Sequence, residues 1–356
     1  MKRLLAALIS VTLLTGCTEK TSAPAQSTSA PESIVRTDMF TDSVQTDAYD
    51  PFAQNIGESE ERLGAFSFGV EWKEGKELVL DYAPTVTFPY YVENSAGQTD
   101  FGLLIFVNGF RQPYRTDTEQ DTRDMHIFTV AQDERIQPII SFEPIIGKKG
   151  ETLSVEIISM FHPRFVLTDQ TTYSALGYNH RILSMYPSKL TVTQETALTE
   201  PAVCSQYAEI PITKELREEY ADKDGNRLDH TIYLEALKND TLITPKKQKE
   251  AGGIPKAAFS PDDTVTLCMY GGGKSCKYRI SMYLNHELVS GVFDGCDYID
   301  MTPSADTMCK KEMDLRKLSL SHNAYSHFYF IAVPFYTDRN YQERYTVKSE
   351  SMVIIL

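Results

Sequence analysis

The chain has 356 residues, 42% hydrophobic, 24% charged and 11% aromatic, and its 35 Lys+Arg against 49 Asp+Glu give a formal net charge of −14. That composition excludes a small disulfide knot, a polytopic membrane protein and a basic nucleic-acid binder. Single hydrophobic cores stop growing near roughly 250 to 300 residues, so two domains are expected.

The N-terminus carries the strongest signal. Met1, Lys2 and Arg3 form a positive start and Leu4 to Leu14 an apolar run, which has the length of a signal-peptide core and is too short to span a bilayer. Leu14-Thr15-Gly16-Cys17 follows. It resembles the lipobox of bacterial lipoproteins, in which a Leu and two small residues precede a Cys. The resemblance implies that residues 1–16 are a removed signal peptide and that Cys17 becomes a lipidated N-terminus, a membrane anchor of the palmitate kind on the extracytoplasmic face of a bacterial membrane. One acyl chain binds marginally, at about 0.8 kcal/mol per buried methylene, whereas two or three hold durably. Losing Lys2 and Arg3 takes the net charge from −14 to −16. Such a surface disfavours anionic headgroups and nucleic acid, so the anchor must supply the membrane affinity.

Residues 17–61 are mostly Ser, Thr, Ala, Pro, Asp and Gln, with SAPAQSTSAPES typical. This composition buries too little surface to offset its ordering entropy and is expected to be a disordered tether.

Beyond it, apolar segments are short, rich in Val, Ile, Phe, Tyr and Thr, and punctuated by Gly, Asn, Asp or Pro. That pattern predicts strands, among them 65–72, 77–82, 85–92, 101–109, 126–130, 152–161 and 189–193. Phe101 to Val107 is apolar on both faces and reads as a central strand. In Tyr278 to Leu284 apolar residues alternate with Arg279, Ser281 and Tyr283, which predicts a strand with one apolar face. Helical signals are confined to Thr213–Tyr220 and Pro245–Glu250, neither with an apolar stripe wide enough for a core helix.

The chain also echoes itself. Thr85-Val86-Thr87 followed by Phe101 to Asn108 reads like Thr264-Val265-Thr266 followed by Tyr278 to Asn285, and Ser154–Pro163 resembles His327–Phe335. The expectation is an all-β fold of two tandem antiparallel β-sandwiches, at 62–200 and 255–356, with 201–254 a linker holding some strands. Their architecture is similar to immunoglobulin-like domains, without the Cys…Trp…Cys pattern, since Trp72 is the single Trp and no Cys falls in the first copy.

Export favours disulfides. A hairpin turning at Gly271-Gly272-Gly273 sets Cys268 opposite Cys276, at the Cα separation of about 4.5 to 5.5 Å that a disulfide accepts. Cys296 with Cys309 is the second expected bond, leaving Cys204 as the free thiol.

Motifs for chemistry are absent. Gly271-Gly272-Gly273-Lys274-Ser275 lacks the leading Gly of a phosphate loop, because Cys268 stands there. Around Asp222-Lys223-Asp224-Gly225-Asn226 the end positions of a calcium loop are Tyr220 and Thr231, so a turn is the better reading. The seven histidines show no i,i+4 pair and no zinc spacing, and no nucleophile elbow or thiol-protease signature occurs. No catalytic residue, metal or cofactor is therefore expected. The connection 161–186 concentrates Tyr173, Tyr178, His180, Arg181 and Tyr186, residue types enriched in recognition surfaces, and is the candidate binding loop.

These features point to a non-enzymatic, lipid-anchored envelope protein that binds another surface protein or a wall polymer. The alternatives are carbohydrate binding, disfavoured by the single Trp, and an exported hydrolase with an unrecognised site.

Overall fold

A strand that is apolar on both faces needs a packed layer on each side of it. Thr99–Val107 meets that condition in the computed structural model of the chain, buried from Phe101 to Val107. The structure describes residues 66–70, 79–81, 83–95, 99–165, 179–184, 188–194, 200–223, 225–242, 244, 246–247, 258–272, 276–318, 320, 325–334 and 345–356. Cys17 and the 17–61 segment lie outside them. Among the described residues no helix is long and apolar enough to cross a membrane.

The first sandwich has an outer sheet centred on Val86–Asn94, which pairs antiparallel with Phe66–Val70, Glu134–Ile136 and Ile139–Phe142. Its inner sheet sets Thr99–Val107 between Thr152–Phe161 and Met125–Val130. Strict alternation along Val86–Asn94 sends Val86, Phe88, Tyr90 and Val92 onto Leu103, Ile105, Val155 and Ile157 of the inner sheet.

The second sandwich repeats the plan. Its inner sheet places Tyr278–Leu284 between Tyr298–Met301 and Tyr325–Pro334. Its outer sheet places Thr264–Gly271 between Ile232–Lys238 and Thr307–Asp314, with Ala208–Pro211 on the edge. Leu267 and Met269 meet Ile280, Met282, Phe328 and Phe330 in its core. Strands from 203–238 thus join the second sandwich. The predicted helix forms as Lys214–Glu219, capped by the Thr213 hydroxyl, which accepts from the Leu216 N–H at 3.2 Å; the Pro245–Glu250 signal lies largely outside the described residues.

The two inner sheets also pack on each other. Leu104, Phe106, Ile158 and Met160 of the first meet Tyr283, Tyr329, Ile331 and Val333 of the second in a separate apolar cluster, and the Tyr283 and Tyr329 rings stack at 5.4 Å. The order is outer, inner, inner, outer, with a seam in the middle. This overturns the one-faced reading of Tyr278–Leu284: Arg279, Ser281 and Tyr283 are buried too, because their face is covered by the first sandwich. Arg279 is held by both oxygens of Asp300, donates to the Asn108 carbonyl at 3.1 Å and lies 3.8 Å from the centre of the Phe110 ring.

The internal echo has a structural counterpart at the turns. Val107 and Phe110 flank Asn108-Gly109, and Leu284 and Glu287 flank Asn285-His286; all four turn residues have positive φ, the signature of a two-residue type I′ hairpin. The Asn108 N–H donates to the Ser154 carbonyl at 2.8 Å, and the Asn108 side-chain oxygen accepts from the Ser154 N–H at 2.7 Å. Asn285 does the same to His327, accepting at 3.0 Å.

The expected disulfides are corrected. Cys268 and Cys276 are not hairpin partners, because the chain crosses after Gly271 from the outer to the inner sheet, and Cys268 faces Glu235 and Lys310 instead. Cys309 lies opposite Glu209 and Met269 and is not bonded to Cys296. Cys204, expected to be free, is bonded to Cys296 with Cα atoms 5.9 Å apart. The Val203–Cys204 strand runs parallel to Tyr298–Met301 and so brings Cys204 to the loop that precedes it. Cys268 and Cys309 are buried thiols, and the half-buried Cys276 thiol donates to the Lys277 carbonyl.

Candidate metal centre at the seam

Three elements remote in sequence bring His180, His286 and His327 together. His180 precedes the Ile182–Ser184 strand, which hydrogen-bonds to Thr152–Phe161 of the first sandwich. His286 is the second residue of the hairpin turn, held at φ 71°, and His327 lies on Tyr325–Pro334 of the second sandwich. The ring centres are 4.6 to 4.8 Å apart, and one ring nitrogen from each lies within 4.8 Å of the other two. His180 and His327 are buried and His286 is half-buried.

Hydrogen bonds fix the tautomers of two rings. His180 Nε2 lies 3.1 Å from the Phe165 carbonyl and His286 Nε2 lies 2.8 Å from the Pro163 carbonyl. A carbonyl can only accept, so each Nε2 carries the proton and each Nδ1 presents a lone pair. His286 Nδ1 accepts from the Tyr329 hydroxyl at 2.9 Å. Nδ1 of His180 and Nε2 of His327 are buried with no hydrogen-bond partner. Leaving a buried polar atom unsatisfied costs about 1–3 kcal/mol.

Electrostatics hold all three rings neutral. Burial lowers the His180 pKa to about 2 and the His286 pKa to about 4, and it drives His327 well below the usual imidazole range. The neighbouring rings and the Lys348 ammonium push the same way, more weakly. Lys348 lies 4.5 Å from the Tyr329 ring centre and donates to the Ser349 carbonyl and the Ser351 hydroxyl. The Met160 thioether is 4.0 Å from the Tyr329 hydroxyl. Chemically the cluster offers neutral nitrogen donors rather than an acid–base pair, since no ring titrates near neutral pH.

A second polar network lies on the far face of the outer sheet of the second sandwich. Tyr220 donates to Tyr270 at 2.6 Å and Tyr270 to Glu235 at 2.8 Å, and burial raises the Glu235 pKa to about 7. Near the seam, burial raises the Glu156 pKa to about 8, with the Thr346 hydroxyl as its partner.

Of the expected binding loop, Tyr173, Tyr178 and Tyr186 lie outside the described residues. Arg181 is exposed, but His180 is fully buried, so it belongs to the seam and not to a recognition surface. Ala221–Asp222 and Gly225–Asn226 pair as a small hairpin, with Gly225 at φ 129°, in keeping with a turn there. Spacing rules missed the histidines because the three positions are 106 and 41 residues apart.

No family model matches the chain and no curated protein does. Among solved structures, red sea bream transglutaminase is 8% identical with a TM-score of 0.21, covering 83% of this chain and 32% of its own. The Salmonella enterica SafA pilin in complex with the SafB chaperone is 8% identical at TM-score 0.22, covering 83% and 98%. The E. coli chaperone DraB is 9% identical at 0.24, covering 82% and 99%. TM-scores this low carry no conclusion about this chain, and its description as a pair of β-sandwiches rests on its own sheet pairings.

Proposed function

We propose that this chain is a lipid-anchored, extracytoplasmic interaction module, held at a bacterial membrane through Cys17 and binding another surface protein or a wall polymer without transforming it. The observation that carries the reading is the order of parts: the lipobox-like Leu14-Thr15-Gly16-Cys17, then a polar stretch too poor in apolar residues to fold alone, then a β body. The edge strand Ala208–Pro211 supports it, being exposed throughout, with Ile210 at 41%; an open edge is a template for pairing with another chain. Carbohydrate binding has less support, since Tyr345 is the one aromatic among the exposed large hydrophobic residues described and stacking platforms use several.

Metabolic labelling with an alkynyl fatty acid, followed by fractionation, tests the anchor. The native chain is expected to be labelled and membrane-bound, and Cys17→Ser unlabelled and released. An unlabelled native chain contradicts the reading. Site-specific photo-crosslinking from position 210 in intact cells tests the interaction, and the absence of any reproducible adduct counts against it.

A further inference from the structure

We propose that His180, His286 and His327 bind one soft or borderline transition-metal ion, Cu(I) or Zn(II), and that the ion ties the two sandwiches together at the seam. The ligands come from both sides, His180 from the first sandwich and the other two from the second. Each ring offers a nitrogen within 4.8 Å of the others.

Two of the rings are oriented as metal ligands are, with the proton-bearing nitrogen donated to a backbone carbonyl and the lone pair turned away from it. Two ring nitrogens of the cluster, on His180 and His327, are buried without a partner. Buried polar atoms are nearly always satisfied, and an ion would satisfy both at once.

The donor set selects the ion. Three neutral imidazoles without a carboxylate do not suit Ca²⁺ or Mg²⁺, which take oxygen, and do suit copper or zinc. The Met160 thioether beside Tyr329 and the nearby Lys348 ammonium favour a soft ion of low charge. Metal–nitrogen bonds of about 2.0–2.1 Å require tetrahedral ligand atoms about 3.3 Å apart, so the rings draw inward on binding and the Tyr329 hydroxyl gives up His286 Nδ1. The half-buried His286, on a two-residue turn, is the side from which an ion enters.

In the experiment, the purified full-length chain is stripped of metal and titrated with Zn²⁺, and separately with Cu⁺ under reductant, each against a chromophoric chelator. X-ray absorption is then recorded on the loaded protein. One equivalent of at least one ion is expected, with a nitrogen shell near ~2.0 Å. His180→Gln and His327→Gln are expected to weaken binding at least ~10-fold, and His230→Gln, at an exposed position, to leave it unchanged. The proposal is overturned if the folded native chain binds neither ion, if the histidine variants bind as the native chain does, or if the bound ion shows a sulfur shell without nitrogen. Should a histidine variant fail to fold, the native chain's stoichiometry and absorption spectrum decide the matter.

Discussion

The turns Asn108-Gly109 and Asn285-His286 occupy equivalent places in the two sandwiches and differ at their second residue. In both, an Asn in the left-handed region clamps the strand beside it through its own side chain. In the first, a glycine at φ 76° lets the turn close on Arg279, whose Cβ would lie 2.8 Å from any Cβ added there. In the second, a histidine accepts φ 71°, a conformation disfavoured for a residue with a side chain, and its ring reaches the Pro163 carbonyl across the seam. The strand partner changes as well, from Ser154 to His327. One copy of the turn serves packing, and the other builds the histidine cluster on the same backbone frame.

The largest expected effect lies at the seam. Phe106 is fully buried between the sandwiches, so Phe106→Ala is expected to cost about 3–5 kcal/mol in chemical denaturation. Unlike Phe101→Ala, inside the first sandwich, it should split a single transition into two.

A pH series contrasts the two buried carboxyls. The Glu156 pKa is raised to about 8 and the Glu235 pKa to about 7, from 4.5. Above 4.5 the unfolded state has released protons that the native state still binds, so stability falls as pH rises, until about 8 for Glu156 and about 7 for Glu235. Glu156→Gln is expected to be more stable than the native chain at pH 8, by on the order of 4 kcal/mol, with the gap closing near pH 4.5. Glu235→Gln should show a smaller gap that stops growing near pH 7. A variant gap independent of pH contradicts the assignment.

Gly109→Val forces a branched side chain into positive φ and against Arg279, at an expected cost of ~2 kcal/mol. His286→Gly relieves the backbone, and its loss should come from the missing seam hydrogen bonds instead, visible as faster hydrogen exchange around Pro163. The smallest expected effect is a difference: Asn108→Ala and Asn285→Ala should each cost about 1–3 kcal/mol and agree to within about 1 kcal/mol, because each frees one backbone N–H. Markedly unequal costs would mean that the two turns only look alike.

Much of the fold was legible in the residues. The strand expected over 85–92 and the two apolar faces of Phe101–Val107 anticipated a strand of the outer sheet and the central strand, and the echo paired Asn108 with Asn285, which the structure sets in equivalent turns. What stayed hidden depended on contacts between distant segments. Arg279 and Ser281 read as a solvent face because polarity along a strand does not reveal a second sandwich above it. The glycines after Tyr270 read as a hairpin because local sequence does not distinguish a turn within one sheet from a crossing between two. The histidine cluster was invisible for the same reason, each ligand standing alone on its own element, and His180 looked like part of a recognition loop.

Through the seam the two sandwiches form one body. Native-state hydrogen exchange on the full chain, followed by mass spectrometry at low denaturant, tests it most directly. Amides of Thr99–Val107, Thr152–Phe161, Tyr278–Leu284 and Tyr325–Pro334 are expected to exchange together through a common opening, with the same free energy and denaturant dependence. Protection of one inner sheet that persists while the other exchanges freely would contradict it.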